Sequence, residues 1–209
     1  MIEHLYNDFE TMPDRYRVNF INSLSGFKSA NLIGTLSKQQ VNNLAIVSSV
    51  VHLGANPPLM AYINRPASVP RDTLDNILET GEFTINHVNS DIIEQSHQTS
   101  ARYPAEESEF TATGLTSHFI DGFSAPFVEE SRCKIGLSYL EHHTLLNNTV
   151  MVIGKVTHVL VSDNAVGEDG LIDIEALGTT AVSGLDTYHS PNKVIRMAYA
   201  KPGKKPSAL

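Results

Sequence analysis

The chain has 209 residues, of which 41% are hydrophobic and 18% are charged, a composition typical of a folded globular protein and not of a disordered one. Fifteen lysines and arginines against 23 aspartates and glutamates give a net charge of −8, so the chain lacks the basic character of a general nucleic-acid-binding protein. The length favours one domain over residues 1–209, with a core from about residue 15 to residue 203 and a flexible tail at residues 204–209.

The distribution of apolar residues and cysteine predicts a cytoplasmic protein without a membrane span. No apolar stretch reaches the length of about 18 residues that a spanning helix needs, and Ser48, Ser49 and His52 interrupt the best candidate, Leu44–Leu53. The N-terminus has neither the basic start nor the apolar run of a signal peptide. The single cysteine, Cys133, excludes an intramolecular disulfide and fits a reducing compartment.

Three apolar segments bounded by turn residues are predicted to form strands. The first is Leu59–Ile63, which follows two prolines, and the second is Phe83–Val88, in which Asn86 faces away from the side chains of Phe83 and Ile85. The third and longest, Thr149–Val161, is apolar on both faces, as expected of a long central strand. Gly154 in its middle is a natural position for a bulge.

Helical patterns are fewer and shorter. The clearest runs from Thr73 to Thr80, where Leu74, Ile77 and Leu78 share one face and Gly81 can end the helix. Weaker helices are predicted at Asn19–Leu24, Ser90–Gln98 and Ile174–Leu177. Several strands with only short helices between them indicate a mainly β (α+β) barrel with peripheral helices, and not a doubly wound sheet.

The reactive side chains form no familiar catalytic or metal motif. His142 and His143 are adjacent, and because neighbouring residues of a strand point to opposite faces, we expect them to have structural or surface roles. Arg132 and Lys134 flank Cys133, and such cations can lower a thiol pKa, but because no partner base is evident we expect a buried or unreactive thiol.

The segment between the first predicted strand and the clearest helix has the chemistry of an anion site. Arg65, Ser68, Arg71 and Thr73 place two guanidinium groups and two hydroxyls within nine residues of a helix start. Unpaired N–H groups at a helix start and planar guanidinium groups both suit phosphate oxygens, so the segment predicts a pocket for a small phosphorylated ligand. An ordinary helix cap in a solvated loop is the alternative.

An ordered set of short motifs runs through most of the chain. They are, in order, Ser25-Gly26, Ile33-Gly34-Thr35, Asn43-Leu44-Ala45, Ser48-Ser49, Pro57-Pro58, Arg71-Asp72-Thr73, Asn76-Ile77, Phe83-Thr84-Ile85-Asn86, Ser108-Glu109-Phe110, Ala125-Pro126, Gly154-Lys155-Val156, Leu185–Tyr188 and Tyr199. In this order they resemble the flavin reductase-like family, whose members bind FMN in a split β-barrel.

The resemblance implies how an FMN phosphate is held. By similarity, Arg71 and Thr73 contact the phosphate, and Arg65 and Ser68 are plausible additional contacts. This agrees with the chemistry of the segment worked out from its residues alone.

The resemblance also implies contacts to the rest of the cofactor. Asn43, Ser48 and Ser49 belong to the segment that is similar to the family's first flavin-contacting strand and loop, and Asn86 matches a strand asparagine near the cofactor. The alternatives are a strand-end hydrogen bond for Asn86 and a half-buried strand for the two serines. Three further side chains could border the flavin ring or serve only in packing: Tyr188, His189 and Tyr199.

By this resemblance the chain is an FMN-binding oxidoreductase and a homodimer. Flavin supplies the redox chemistry itself, which explains the lack of an evident acid–base pair. Members that use NAD(P)H carry Gly-Asp-His before the long strand, whereas this chain has Asn147-Asn148-Thr149, which favours a flavoredoxin-like protein with tightly bound FMN and another electron donor. The alternatives are an NAD(P)H-dependent reductase that supplies reduced FMN to a monooxygenase, and a non-catalytic flavin-binding or storage protein.

Overall fold

A seven-stranded antiparallel sheet is the framework of the computed structural model, which describes residues 1–66 and 72–209. Its strands are, along the chain, β2 (Asn31–Leu36), β3 (Asn42–Val47), β4 (Val51–Ala55), β5 (Pro58–Asn64), β6 (Glu82–His87), β9 (Cys133–Thr144) and β10 (Val150–Val161). Their order in space is β3-β2-β6-β9-β10-β5-β4. The sheet with its short helices is the mainly β split barrel that the sequence predicts.

Smaller elements surround this sheet. A three-stranded sheet pairs β1 (Lys28–Ser29), β11 (Ala181–Ser183) and β12 (Thr187–His189), and a separate hairpin joins β7 (Ser117–Ile120) to β8 (Phe123–Val128). The helices are α1 (Tyr6–Thr11), α2 (Asp14–Ser23), α3 (Asp72–Thr80), α4 (Ile93–Gln98) and α5 (Glu109–Thr113). Within residues 1–66 and 72–209, none of these helices has the length and hydropathy needed to cross a bilayer.

The core lies on both faces of the central strands. On one face Ile33, Phe83, Ile85 and Leu137 pack with residues of α3, and on the other face a second cluster forms around Leu32. Strand β6 is therefore buried on both faces: Phe83 and Ile85 lie on one face, and the hydrogen-bonded side chains of Thr84 and Asn86 lie on the other.

Two glycines mark places where strands approach other groups closely. A Cβ on Gly154 would lie 2.7 Å from the ring of Phe83, and the pairing of β9 with β10 shifts register between Ile153 and Gly154, which confirms the predicted bulge. A Cβ on Gly34 would lie 2.2 Å from the carbonyl oxygen of Pro126, so β2 packs directly against the backbone of β8.

Most of the predicted elements are present. Strands β5, β6 and β10 match the three predicted strands to within one or two residues at each end, and α3 matches the clearest helix. Residues Ser90–Gln98 form a 3₁₀ turn followed by α4, as predicted, whereas α2 begins at Asp14 and not at Asn19. In α3 the buried positions are Thr73, Leu74, Asn76 and Ile77, while Leu78 is exposed.

One prediction about the C-terminal part is wrong. Residues Ile174–Leu177 form a turn and not a helix, because Asp173 Oδ1 accepts a hydrogen bond from the Ala176 N–H and Gly178 then adopts a φ of 65°. The last residues are exposed, and the Leu209 N–H donates to the Arg196 carbonyl beside an antiparallel bridge between Met197 and Ala208. The flexibility of residues 204–209 stays a prediction.

Candidate functional site

A buried polar network joins the start of α3 to the sheet. The Thr73 hydroxyl, in the first turn of α3, donates a hydrogen bond to Asn43 Oδ1 on β3 over 2.8 Å. The Thr35 hydroxyl on β2 donates to the same oxygen over 3.2 Å, and Asn76 Nδ2 donates to Thr35 Oγ1 over 3.1 Å. All four side chains are buried. These bonds hold the first turn of α3, whose backbone N–H groups have no partner within the helix, against β3.

Glu109, the first residue of α5, lies on the other side of Asn43. Asn43 Nδ2 is 3.1 Å from each carboxylate oxygen of Glu109, and the Leu44 N–H donates to Oε2 over 2.9 Å. Burial raises the pKa of Glu109 and the nearby charge of Asp72 raises it further, while the hydrogen bonds from Leu44 and Asn43 lower it. Glu109 therefore anchors α5 to β3 within electrostatic reach of the start of α3.

The connection between β3 and β4 is attached to β5 through Ser49. The Ser49 hydroxyl donates to the Ile63 carbonyl over 3.0 Å and accepts from the Ile63 N–H over 3.1 Å. The hydroxyl thus takes the place of a pair of backbone hydrogen bonds between strands, and its proton is donated to the Ile63 carbonyl. Ser48 is half-buried at the bend that follows β3, and its hydroxyl makes no hydrogen bond to another described residue.

Arg65 directly follows β5 and is exposed, with its carbonyl accepting a hydrogen bond from Asn64 Nδ2 over 3.0 Å. It forms no ion pair with a described residue. Two other predicted phosphate contacts, Ser68 and Arg71, lie outside the described residues.

The position of Asn86 contradicts the expectation that it faces a polar ligand. Its side chain is 0% exposed, Nδ2 donates to the Leu32 carbonyl and to Thr84 Oγ1, and Oδ1 accepts from the Val128 N–H. Asn86 pairs with Leu32, three residues from Thr35, so it lies on the opposite face of the sheet from the network around Asn43. The strand alternation placed Asn86 away from Phe83 and Ile85 correctly, but that face is covered by β8.

The aromatic candidates near the C-terminus lie in other parts of the molecule. Tyr188 is half-buried with its hydroxyl 3.0 Å from Nδ1 of His97, and His189 Nε2 is 2.8 Å from Ser183 Oγ. Tyr199 is 91% exposed. None of the three predicted side chains makes a hydrogen bond to a described residue of the network around Asn43.

The remaining reactive side chains have ordinary environments. Cys133 is buried, and burial raises the pKa of its thiol to about 11, so the flanking cations do not activate it. His142 and His143 are exposed on β9, with His142 Nδ1 2.7 Å from the Tyr139 hydroxyl. No group of three or more histidine, cysteine, aspartate or glutamate side chains among residues 1–66 and 72–209 is arranged to hold a metal ion.

Two clefts built from described residues lie apart from Arg65 and Thr73. One of about 530 Å³ includes Arg132 and Lys134, whose cations pair with Asp91 and Glu129. The other, of about 500 Å³, has a neutral polar lining that includes Gln40, Asn42, Ser108, Thr111 and Thr116. Neither cleft is lined by Arg65 or by a residue of α3.

The network residues that sequence reasoning missed are Thr35, Asn76 and Glu109. All three occur in the family-like set of residues, but there they served only as evidence for the resemblance. Their signal was the placement of polar side chains at positions next to apolar core residues: Asn76 precedes buried Ile77 and Glu109 precedes buried Phe110. Such residues need hydrogen-bond partners when the core closes around them.

The arrangement at the start of α3 has the donors that a terminal phosphate needs. This helix is nine residues long, and the N–H groups of its first turn are suitable donors. Asp72 and Asp75 in the same turn oppose an anion. The Thr73 hydroxyl, predicted to contact the phosphate, donates its proton to Asn43 in this structure.

Solved structures of other proteins share this fold. A crystal structure from Shewanella frigidimarina of a split-barrel protein, named as a candidate flavin reductase, is 54% identical with a TM-score of 0.92 over 96% of this chain and 100% of that one. Nitrilotriacetate monooxygenase component B of Bacillus cereus is 22% identical with a TM-score of 0.81, covering 92% and 96% of the two chains. Flavoredoxin of Desulfovibrio vulgaris is also 22% identical, with a TM-score of 0.69 over 85% and 92%.

The sequence model of the flavin reductase-like domain matches residues 24–177. This range includes the seven-stranded sheet and all four side chains of the buried network together with Glu109. Fold, ordered sequence features and domain match agree, and the chain belongs to the flavin reductase-like family.

Proposed function

We propose that this chain is an FMN-binding oxidoreductase whose cofactor phosphate binds at the start of α3. The observation that carries the proposal is the hydrogen bond from Thr73 to Asn43, which holds the donor-rich first turn of α3 against the strand and connection that bear Ser48. Family membership supports a flavin cofactor in general. A site built around a terminal phosphate favours FMN.

The residues around this turn divide the work of binding. The backbone N–H groups of the first turn and the Arg65 guanidinium would hold the phosphate, and the free hydroxyl of Ser48 would contact the sugar-like chain or the polar edge of the ring. Arg71 and Ser68 remain proposed contacts on the resemblance alone. Ser49 acts indirectly, because its two hydrogen bonds to Ile63 fix the path of the connection.

Bound flavin supplies the electron transfer, and the protein binds it, orients it and sets its potential through nearby charge and hydrogen bonds. The carboxylates of Asp72, Asp75 and Glu109 make the phosphate end of the site more negative than a bare helix start. They weaken phosphate binding and so limit how tightly the helix start alone holds the cofactor.

The hairpin turn before β10 supports an electron donor other than NAD(P)H. In this turn the Asn147 side chain accepts hydrogen bonds from the Thr149 N–H and hydroxyl, and Asn148 adopts a φ of 63°. The residues that replace the family's Gly-Asp-His thus form a self-contained turn without an imidazole. We propose that the flavin stays bound and receives electrons from a donor protein, as in the flavoredoxin-like branch.

A second copy of the chain is the proposed cover for the exposed apolar surface. Helices α1 and α2 bury none of their residues, although Phe20 packs against Phe9 and Tyr16 within this pair. Val51 and Leu53 are exposed on the edge strand β4. Apolar surface of this extent is typical of an interface, and light scattering of the purified chain tests for a dimer.

The visible spectrum of the purified chain tests the flavin proposal. We expect a yellow protein with an absorbance band near about 450 nm, or a colourless one that regains the band on titration with FMN. Arg65→Ala should weaken FMN binding by about 1–2 kcal/mol, since the Arg65 side chain is exposed to solvent. Arg71→Ala should weaken it by about 1.5–3 kcal/mol, the scale of a charge-assisted hydrogen bond. Failure of the wild-type chain to bind FMN at micromolar concentration would refute the proposal.

Anaerobic reduction separates the alternatives. Rapid oxidation of NADH or NADPH with free FMN would favour a reductase that supplies reduced flavin to a monooxygenase. Binding of FMN without reduction by any donor would favour a storage protein. We expect slow reduction by NAD(P)H and fast reduction by a low-potential donor protein.

A further inference from the structure

Glu109 is connected to the start of α3 through a single amide group. The side chain of Asn43 stands between them, with Nδ2 at the Glu109 carboxylate and Oδ1 at the hydroxyl of Thr73. The direction of each hydrogen bond in this series, from Glu109 through Asn43 to Thr73, is determined by the Glu109 carboxylate.

An ionised carboxylate accepts hydrogen bonds and cannot donate one. Glu109 accepts the Leu44 N–H. Because its carboxylate has no proton to donate, the group of Asn43 that faces it must be a donor as well. Only the NH₂ group of the amide can donate, so Glu109 leaves Asn43 a single orientation with Oδ1 turned toward Thr73. That oxygen can only accept, and it takes the hydroxyl proton of Thr73 over 2.8 Å and that of Thr35 over 3.2 Å.

The consequence for a ligand is a change in the role of Thr73. With its proton committed to Asn43, the Thr73 hydroxyl has only lone pairs left to offer. Phosphate oxygens are acceptors too, so this hydroxyl gives a phosphate no hydrogen bond. A ligand hydroxyl next to the phosphate is the group that such an acceptor would recognise.

We propose that Glu109 is a positioning residue that, through Asn43, fixes Thr73 as a hydrogen-bond acceptor at the phosphate end of the flavin site. This inference rests on the proposed function, since it concerns the binding of FMN at α3. It assigns to Glu109 a role in ligand selectivity in addition to its anchoring of α5.

Replacing Glu109 by glutamine reverses the chain of donors. In Glu109→Gln, the Gln carbonyl oxygen still accepts the Leu44 N–H, and its NH₂ group then faces Asn43. Asn43 turns its oxygen toward this NH₂ group and its own Nδ2 toward Thr73 and Thr35, which then accept from it in place of donating. The hydroxyl proton of Thr73 becomes available to the phosphate. In this background Thr73 becomes a phosphate donor, whereas in the wild-type chain it is not one.

A double-mutant cycle with two ligands measures this change. The phosphate selectivity is the dissociation constant of riboflavin divided by that of FMN, both measured at pH 8, far above the usual pKa of a glutamate carboxyl. Thr73→Val should change this ratio by less than about twofold in the wild-type background and lower it by about threefold to tenfold in the Glu109→Gln background. The charge removed with Glu109 cancels, because Thr73 is compared within each background. Glu107→Gln, an exposed glutamate on the approach to α5, is the matched control and should behave as wild type.

Melting temperatures of the same variants, measured in parallel, distinguish the positioning role of Glu109 from a purely structural one. A purely structural role would lower the melting temperature without coupling the effects of Glu109 and Thr73 on the ratio. The inference is overturned if Thr73→Val lowers the selectivity ratio equally in the wild-type and Glu109→Gln backgrounds, or lowers it in neither. In either case, FMN binding by the wild-type chain still supports the proposed function. Absence of binding for both flavins refutes the proposed function and this inference with it. If Glu109→Gln does not fold, Thr73→Val alone decides, since a loss of the ratio of threefold or more in the wild-type background contradicts an accepting Thr73.

Discussion

Asn43→Ala is the substitution that tests the buried network most directly. It removes the donor to Glu109 and the acceptor shared by Thr73 and Thr35, so one carboxylate loses a partner and two buried hydroxyls are left without an acceptor. A hydrogen bond to a charged group contributes about 1.5–3 kcal/mol and a neutral one about 0.5–1.5 kcal/mol. Glu109 is only half-buried and keeps the Leu44 N–H, which reduces its share. We expect a loss of about 2–4 kcal/mol in the free energy of unfolding.

The assay is equilibrium unfolding in urea at one fixed protein concentration, because association of the chain would otherwise shift the midpoint. Asn42→Ala is the matched control: it changes the same residue type on the same strand, and the Asn42 side chain makes no hydrogen bond to another described residue. The control should lose less than about 0.5 kcal/mol. Equal losses for the two variants would show that the network does not hold α3 to β3, and the account of the site would fail with it.

Three further predictions concern packing and ionisation. Gly34→Ala should destabilise the fold by about 3 kcal/mol because its Cβ would meet the Pro126 carbonyl, whereas Gly54→Ala, with ordinary contact distances, should be nearly neutral in the same urea titration. Cys133 should resist alkylation by iodoacetamide at pH 8 in the native chain, since its thiol pKa is about 11, and react at once in urea; fast native labelling would contradict its burial. Burial holds the pKa of His87 below its usual value, so at mildly acidic pH the imidazole is protonated more readily in the unfolded chain than in the native one. Stability should therefore fall as the pH drops below about 6.5, more steeply than in His87→Gln, and parallel curves would rule this out.

The parts of the fold that could be predicted are those whose sequence pattern depends on burial. Strand β10 is twelve residues long and apolar on both faces, so its length and its bulge at Gly154 were visible in the sequence. Strand β1 has two residues and α5 has five, too few for a period to show. The turn at Ile174–Leu177 has helical composition, and only the Asp173 side-chain hydrogen bond, which competes with the helix, distinguishes it.

The residue types of the candidate site could be predicted from the sequence, but the partners of its side chains could not. The resemblance implied that Asn43, Ser49, Thr73 and Asn86 lie near a cofactor, and their cofactor contacts stay a prediction. In the structure Thr73 donates to Asn43, Ser49 bonds the backbone of Ile63, and Asn86 bonds the interior of the opposite face. Which partner a buried polar group finds depends on contacts between residues far apart in the chain, and one sequence contains no measure of those contacts.

This use of side chains bears on how the family-like site works. Among residues 1–66 and 72–209, the backbone N–H groups at the start of α3 and the exposed Arg65 are available to an anion, while the hydroxyls of Thr73 and Ser49 maintain the positions of the backbone. A ligand bound mainly by backbone groups depends on where the chain runs and only weakly on which side chains line it. The residues that determine binding are then the ones that fix the path of the backbone, which explains why the sequence features of this site are scattered over several strands and do not form one compact motif.

It follows that Asn43, which contacts both Thr73 and Glu109, should affect FMN affinity more than Ser48, whose hydroxyl makes no hydrogen bond to another described residue. Titration of Asn43→Ala and Ser48→Ala with FMN decides the point, and a larger loss for Ser48→Ala would show that direct side-chain contacts dominate.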